Sequence, residues 1–320
     1  MTLGYLFGGG VGSEPRGVDL YRAYAVVREL YEQVAQWTGL TVGQILEDDL
    51  PEEPEVRQSV GTIRESVHAL AVHDVLAEKG LRPMALGGLS LGGMSAACLA
   101  GAVGRRELFE MLAYARDTPP LPPDAAEQGL ALAFEPAGDD SGRYRGAGRD
   151  GVYPAGVFGP TADGSTTILM LSGVQASLLA LAAELPEGTV IPLPGRAMAI
   201  HSPLRMHFRE FMAPYIDAMP FADPELPLIS CLDRKVLVSA ADVQDAFQRN
   251  PTDPINLVYI YEAMKDEGVR LGFVMGGSIP DGVLRFPFPV VHVDRPEHIE
   301  QALTTVFELG IDVPAARVSR

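Results

Sequence analysis

The segment PMALGGLSLGGMSAACLAGAV, residues 83–103, decides the fold. Residues 83–88 are short and apolar, as in a buried strand, and residues 91–103 are small and apolar, as in a buried helix. Between them, Gly88-Leu89-Ser90-Leu91-Gly92 fits the pattern G-x-S-x-G. A serine on a tight strand-to-helix turn has strained dihedral angles, and glycines two residues to either side avoid clashes with the neighbouring backbone. The segment therefore predicts a nucleophilic serine at a helix N-terminus, where free N–H groups stabilise developing negative charge. A glycine-rich turn with a capping serine is the alternative.

Strands and helices alternate through most of the chain. Apolar runs predict buried strands at residues 3–7, 228–231 and 271–275. Helical periodicity is found at residues 18–37, 63–79, 204–219, 243–249 and 255–267. Strand, sharp turn and helix in succession indicate an α/β architecture.

The sequence DTPPLPP, residues 117–123, interrupts this pattern, because a helix cannot continue through it. Beyond it, short strand-like runs and one helical run predict a small sheet-plus-helix subdomain at residues 127–197. Residues 1–126 and 198–320 would then form one catalytic domain that carries this insert.

The composition excludes several classes of protein. With 320 residues, of which 47% are hydrophobic, the chain can bury a sizeable core. Its 42 acidic and 25 basic side chains give a net charge of −17, which argues against binding nucleic acid. Cys98 and Cys231, the two cysteines, favour a reducing cytoplasm and are expected to be buried small hydrophobes without a metal. No signal peptide or membrane span is expected, since no window of about 18 residues is continuously apolar.

A serine nucleophile needs a base, and His201 is the best-placed histidine. It lies in MAIHSPL, residues 198–204, where the chain leaves the small subdomain and begins a helix, so it is expected to face a cleft. Asp294 with His298 is a second possibility, because an acid and then a base can follow the serine along the chain.

These residues together suggest a family. The elbow at residues 88–92, Arg116 and the sequence HSPL at residues 201–204 resemble malonyl-CoA:acyl carrier protein transacylases and polyketide synthase acyltransferases. The order and spacing of these motifs match the family pattern from about residue 3 to residue 284. The resemblance implies an α/β-hydrolase-like large domain with an inserted ferredoxin-like small domain at residues 127–197. It also implies a monomer without a cofactor, with an acyl-CoA donor and the phosphopantetheine arm of an acyl carrier protein as acceptor.

The resemblance implies a ping-pong reaction with a serine–histidine dyad. Ser90 would attack the thioester carbonyl, His201 would take and return the proton, and the carrier thiol would then attack the acyl-serine. The backbone N–H groups of Leu91 and Val11 would form the oxyanion hole. Asn250 matches the position whose main-chain carbonyl orients the histidine.

The same resemblance assigns the acyl pocket. Arg116 matches the arginine that pairs with the malonyl carboxylate, for which bidentate guanidinium geometry is suited. Its alternative is an ordinary arginine at a helix end. Residues 198–201 read MAIH, where the family has HAFH for malonyl and YASH for methylmalonyl selectivity. Since Ile200 is smaller than phenylalanine, a pocket that also includes Met198 and Gly10 is expected to admit an acyl group larger than malonyl.

Other positions depart from the family pattern. The first loop reads GVGSE at residues 10–14 instead of GQGSQ, and Leu89 and Gly93 replace the elbow's histidine and glutamate. The later glycine-proline turn is replaced by MGGS at residues 275–278. These changes predict an enzyme of polyketide or other specialised biosynthesis.

Three other functions stay open at this point. A hydrolase of the same fold would use Ser90 and His201 to remove acyl groups from carrier proteins. A scaffold homologue would do no chemistry, against which the retained serine, histidine and arginine argue. An ordinary esterase would use Asp294 and His298.

Carrier proteins are typically acidic, so a chain of net charge −17 is expected to need a local basic patch. Arg205 and Arg209 lie four residues apart on one predicted helix face just beyond His201. Arg143, Arg145 and Arg149 lie in a predicted loop of the small subdomain. One of these two groups is predicted to dock the carrier.

Overall fold

A computed structural model describes residues 3–10, 17–47, 49–276 and 279–311. The strands are β1 (Leu3–Phe7), β2 (Ala85–Gly88), β3 (Gln128–Pro136), β4 (Val152–Pro160), β5 (Thr166–Val174), β6 (Val190–Pro192), β7 (Leu228–Ile229), β8 (Val236–Leu237), β9 (Ile255–Asn256), β10 (Leu271–Met275) and β11 (Val290–Val293). The helices are α1 (Val18–Ala23), α2 (Ala25–Thr38), α3 (Val42–Leu46), α4 (Pro54–Glu78), α5 (Leu91–Leu99), α6 (Arg105–Tyr114), α7 (Gln175–Glu184), α8 (Met206–Ala218), α9 (Ala240–Arg249), α10 (Leu257–Asp266) and α11 (Pro296–Glu308).

The main sheet has the strand order β11-β10-β1-β2-β7-β8. Its neighbours are parallel except for β7 and β8, which are antiparallel. Phe7 at the end of β1 lies opposite Gly88 of β2 and Met275 of β10, so these three strands end at one edge of the sheet. That edge carries Ser90, because β2 runs directly into the elbow. The predicted α/β fold class is confirmed.

Helices cover both faces of this sheet. In β1, Tyr5 and Phe7 pack into a core with α2 and α4, whereas Leu6 packs into a second core with α10. Strands buried on both faces are expected to be continuously apolar, as β1 is. Within the described residues, no helix is both long and apolar enough to cross a membrane.

The second sheet has the order β6-β3-β5-β4-β9. Its first four strands pair antiparallel and come from residues 128–192, and α7 packs on them. A short 3₁₀ turn, Arg143–Arg145, stands where a β-α-β-β-α-β unit would have its first helix. The fifth strand, β9, lies outside residues 127–197 and pairs parallel with β4, so the sheet reaches beyond the predicted insert.

Some predicted boundaries differ from the structure. The helix predicted at residues 18–37 is interrupted at Tyr24, whose backbone is extended, and β9 occupies the start of the helix predicted at 255–267. Helix α4 begins nine residues before its predicted start, with Pro54 in its first turn, where a missing N–H costs nothing.

Candidate active site

Ser90 has a backbone conformation that non-glycine residues rarely adopt, with φ of 53° and ψ of −116°. Among the described residues, the non-glycine residues with positive φ are Ser90 and His201, the latter at 57°. Backbone strain of this kind persists only where the surrounding structure enforces it, and it concentrates at functional sites. The structure thus strains the two residues that the sequence predicts as nucleophile and base.

The two flanking glycines are required by close backbone approach. A Cβ atom on Gly88 would lie 2.2 Å from the carbonyl carbon of Gly92. A Cβ atom on Gly92 would lie 2.4 Å from the carbonyl oxygen of Phe7. The main-chain N–H of Leu89 donates to that same Phe7 oxygen at 3.0 Å, which fastens the elbow to the end of β1. The G-x-S-x-G pattern therefore has the geometric cause that the sequence predicts.

The predicted oxyanion donors are only partly described. Leu91 is the first residue of α5, so its N–H belongs to the first turn, whose donors have no acceptor within a helix. Val11, the other predicted donor, lies outside the described residues. Gly10 is described, is exposed and has a φ of 108°. The role of Leu91 and Val11 stays a prediction.

His201 is 2% exposed and is held by the loop that follows α9. Its Nδ1 lies 3.2 Å from the carbonyl oxygen of Asp253, and its main-chain N–H donates to the carbonyl of Pro251 at 2.8 Å. A carbonyl only accepts, so Nδ1 carries the hydrogen and the lone pair lies on Nε2. Nε2 is buried and has no hydrogen-bond partner in the part of the chain that the structure describes. It is therefore free to accept a proton.

Burial lowers the pKa of His201 to about 4, although hydrogen bonds to the carbonyls of Asn250 and Asp253 raise it. The ring is consequently neutral at pH 7, the form that a general base requires.

Asn250, at the end of α9, contacts both predicted catalytic residues. Its side-chain Nδ2 donates to Ser90 Oγ at 3.4 Å, and its main-chain carbonyl helps to raise the pKa of the His201 ring. The sequence predicts only the carbonyl role for Asn250. It does not predict the contact of the Asn250 side chain with Ser90, because a sequence does not show where an amide points. Nor does it predict the Asp253 carbonyl as an acceptor, because a residue of any type can supply a main-chain carbonyl.

The segment before His201 is fastened to the second sheet. The N–H of Ala199 donates to Gln128 Oε1 at 3.0 Å, and Ser172 Oγ donates to the carbonyl of Ile200. Within the segment, Ser202 Oγ donates to the carbonyl of Ala199 at 2.6 Å. These contacts hold His201 beside the second sheet, and its position facing a cleft stays a prediction.

A cavity of about 30 Å³ lies beside Ser90, between α5, β7 and α9. Met94 and Phe247 are among its apolar lining residues, and none of the described lining residues is charged. Cys231 also lines it; burial raises the pKa of the thiol to about 11, so it stays protonated at neutral pH. The cavity has room for about one water molecule, so it does not by itself accommodate an acyl chain.

Arg116 is exposed in a short 3₁₀ turn after α6 and donates to the carbonyl of Thr38 at 3.4 Å. It is not among the residues that line the cavity beside Ser90. Its role as a carboxylate clamp stays a prediction. Met198 and Ile200 are half-buried, and their role in the pocket also stays a prediction.

The prediction that Arg205 docks a carrier is wrong. Arg205 is 3% exposed, its guanidinium donates to both carboxylate oxygens of Glu55 at 2.8 and 3.2 Å, and it stacks over Phe208. Arg209 donates to Thr252 Oγ1 at 3.0 Å and lies 3.8 Å from Asp253, so it supports the loop that holds His201. The Arg205 guanidinium is therefore not free to receive an acidic partner, and the docking role of the half-buried Arg209 stays a prediction.

The other predicted docking arginines are mostly neutralised as well. Arg145 pairs with Glu135, and Arg149 pairs with Glu184. Arg143 is exposed and stacks over Tyr144.

The alternative pair lies at the far edge of the main sheet. His298 Nδ1 is 2.9 Å from Asp294 Oδ1, at the end of β11. Strands β10 and β1 separate β11 from β2, which at about 4.8 Å a strand puts the pair well beyond contact with Ser90. The structure therefore favours His201 as the base.

Known proteins share this fold. No family model matches the chain, and no curated protein matches it. Among solved structures, the chain is similar to an acyl carrier protein S-malonyltransferase from Burkholderia pseudomallei (TM-score 0.82, 21% identity, 95% of this chain and 100% of that chain covered). It is also similar to a malonyl-transacylase solved with its type II polyketide synthase acyl carrier protein (TM-score 0.80, 18% identity, coverage 95% and 100%). A third is the acyltransferase domain of the second module of the salinomycin polyketide synthase (TM-score 0.78, 19% identity, coverage 98% and 74%). At these identities the likeness establishes the fold.

Proposed function

We propose that this chain is an acyltransferase that moves an acyl group from a CoA thioester to the phosphopantetheine thiol of an acyl carrier protein. The observation that carries the proposal is the strained Ser90 on its elbow, linked through Asn250 to a buried, neutral His201. The fold, shared with solved malonyltransferases, supports the same reaction.

In the first half-reaction, Ser90 Oγ attacks the thioester carbonyl carbon while His201 Nε2 takes the hydroxyl proton. The C–S bond then breaks, and His201 returns the proton to the departing thiolate of CoA. In the second half-reaction, the carrier thiol attacks the acyl-serine carbonyl and gives its proton to His201. The C–Oγ bond breaks, and Oγ recovers that proton. These steps call on no metal or cofactor.

We further propose a malonyl or related acyl group, in polyketide or other specialised biosynthesis. Solved proteins of this fold are named for malonyl transfer. The sequence resemblance also implies that Arg116 corresponds to an arginine that pairs with the malonyl carboxylate. Arg116 would have to leave the carbonyl of Thr38 and turn toward the substrate.

The test is an intact-protein mass measurement after mixing the enzyme with malonyl-CoA and with acetyl-CoA. A malonyl adduct is expected on the wild type and not on Ser90→Ala, while His201→Ala slows adduct formation and His298→Ala does not. The assignment of Ser90 and His201 as the catalytic pair would be wrong if His298→Ala abolished activity and His201→Ala did not. Rapid thioester loss without any carrier acylation would instead favour the hydrolase.

The variant Arg116→Ala tests whether the acyl group carries a carboxylate that Arg116 binds. Because a charged hydrogen bond contributes about 1.5–3 kcal/mol, malonyl loading is expected to fall about 10- to 100-fold while acetyl loading is spared. The rate of adduct formation with each thioester is the measurement. Equal losses for both thioesters would remove Arg116 from the pocket.

A further inference from the structure

The side chain of Asn250 points at the reacting oxygen of the proposed nucleophile. Its Nδ2 donates to Ser90 Oγ at 3.4 Å, and its main-chain carbonyl helps to raise the pKa of the His201 ring. The backbone and the side chain of one residue thus contact the two groups that the reaction uses.

The direction of this hydrogen bond fixes what the amide can do. An amide N–H only donates, so Ser90 Oγ accepts from it with a lone pair, and the serine's own hydrogen is left for another acceptor. His201 Nε2, the proposed base, is buried and has no hydrogen-bond partner within the described residues, so the serine hydroxyl is not yet bonded to it in this structure. Asn250 therefore does not compete with the base for the serine proton.

We propose that the side-chain amide of Asn250 is a catalytic group that stabilises Ser90 Oγ as the leaving group of the second half-reaction. The inference rests on the proposed acyl-Ser90 intermediate. When the acceptor thiol has added to the acyl carbonyl, the C–Oγ bond breaks and its electron pair returns to Oγ. The amide N–H donates to that oxygen while its charge grows, until Oγ takes the proton from His201.

The amide assists the two half-reactions unequally. Only an interaction that is stronger in the transition state than in the preceding ground state speeds a step. Before the first half-reaction, Oγ is a hydroxyl oxygen that already accepts the bond well. Before the second, Oγ is an ester oxygen, a poorer acceptor, so the bond strengthens more on the way to the charged leaving oxygen. Loss of the amide should therefore slow the second half-reaction more.

The experiment compares both half-reactions in Asn250→Leu, which keeps the side chain's size and the main-chain carbonyl but removes the donor. Rapid mixing followed by intact-protein mass gives the rate of acylation by acyl-CoA, and then the rate at which pantetheine removes the acyl group from loaded enzyme. Thiol transfer is expected to fall about 10- to 100-fold, the range for a hydrogen bond to a charged group, and acylation several times less. The lower limb of the pH–rate profile should not move, because His201 keeps its carbonyl partners.

Asn250→Ala provides a second variant that is expected to show the same unequal loss. Gln244→Leu is the matched control, since it removes an amide of the same helix that contacts Asp217 and not Ser90. Unchanged rates, equal losses in both half-reactions, or a displaced pH limb would overturn the catalytic role, because a purely structural role moves both steps together. If wild-type Ser90 acquires no acyl group, it is the proposed function that fails.

Discussion

The strongest evidence for chemistry in this chain is conformational and lies in single residues. Ser90 and His201 have φ values of 53° and 57° in a chain whose other described residues with positive φ are glycines. Neither residue needs this conformation for packing alone, since a glycine would adopt it at no steric cost. Strain retained at a hydroxyl and at an imidazole, both touched by Asn250, is best explained by what those side chains do.

The neutral state of His201 predicts an unusual pH dependence. Burial lowers its pKa from an ordinary 6.5 to about 4, so the ring stays unprotonated well below neutrality. The rate of Ser90 acylation is therefore expected to be flat from about pH 8 to about pH 5 and to fall with a limb near pH 4. Stopped-time mass measurement with acetyl-CoA, which has no acyl carboxylate to titrate, checks this. A limb between about 6 and 7 would mean that the ring is hydrated in solution.

The lowered pKa of His201 also makes the free energy of unfolding depend on pH. Between pH 6.5 and about 4 the unfolded chain binds a proton on this ring, whereas the folded chain does not. The contribution of the neutral His201 ring to the free energy of unfolding is therefore fully present above pH 6.5 and is lost as the pH falls toward 4.

The loop from the end of α9 to β9 positions His201, the proposed base. Arg249 donates to Asp253, and it also bridges Asp233 and Asp245. Arg209 reaches the same loop through Thr252. Because the Asp253 carbonyl accepts from His201, this ion-pair network fixes a backbone acceptor rather than a catalytic side chain. The loop then continues into β9, which ties it to the second sheet.

The buried ion pair between α4 and the turn before α8 predicts a stability effect and not a docking effect. Glu55→Ala leaves the 3% exposed Arg205 unpaired, which should cost about 3–5 kcal/mol of unfolding free energy. Denaturant unfolding monitored by circular dichroism measures it. Replacing both partners with Glu55→Leu and Arg205→Met should recover most of the loss, because no buried charge remains.

A surface pair supplies the comparison. Arg234 and Glu262 are 66% and 42% exposed, so Glu262→Ala should change stability by less than about 1 kcal/mol. If Arg205→Glu folded with wild-type stability and lost only transfer to the carrier, Arg205 would be a surface docking residue after all.

The sequence predicts those elements whose signal is local. Strands β1, β2 and β10 are found because parallel strands buried on both faces are continuous apolar runs, and the elbow is found because its glycines are sterically required. Strand β9 is hidden, since two residues at the start of a helical pattern form it only by pairing with Gly156 and Val157. The prediction for Arg205 fails because its burial depends on a contact distant in sequence, since its partner Glu55 lies 150 positions away.

Charge over the whole molecule bears on the proposed encounter with an acidic carrier protein. The chain has an excess of 17 acidic residues, and most of the arginines predicted to form a basic patch are already paired with carboxylates. Arg143 keeps an exposed guanidinium in the loop of the small sheet, but Asp139, Asp140 and Asp150 stand in the same loop. The attraction of Arg143 for an acidic carrier is therefore weak compared with the negative potential of the whole molecule. Repulsion between the two negatively charged proteins should control the rate of their encounter.

This balance predicts that salt speeds transfer to an acidic carrier protein. Raising the salt concentration from about 20 mM to about 200 mM shortens the Debye length to below 10 Å and screens the repulsion, so kcat/KM for the carrier should rise about twofold or more. Transfer to pantetheine, which is uncharged, should change little and isolates the encounter from the chemistry. Arg143→Glu should lower kcat/KM for the carrier at low salt without altering transfer to pantetheine. A rate that falls as salt increases would instead establish a basic docking patch strong enough to overcome the net charge.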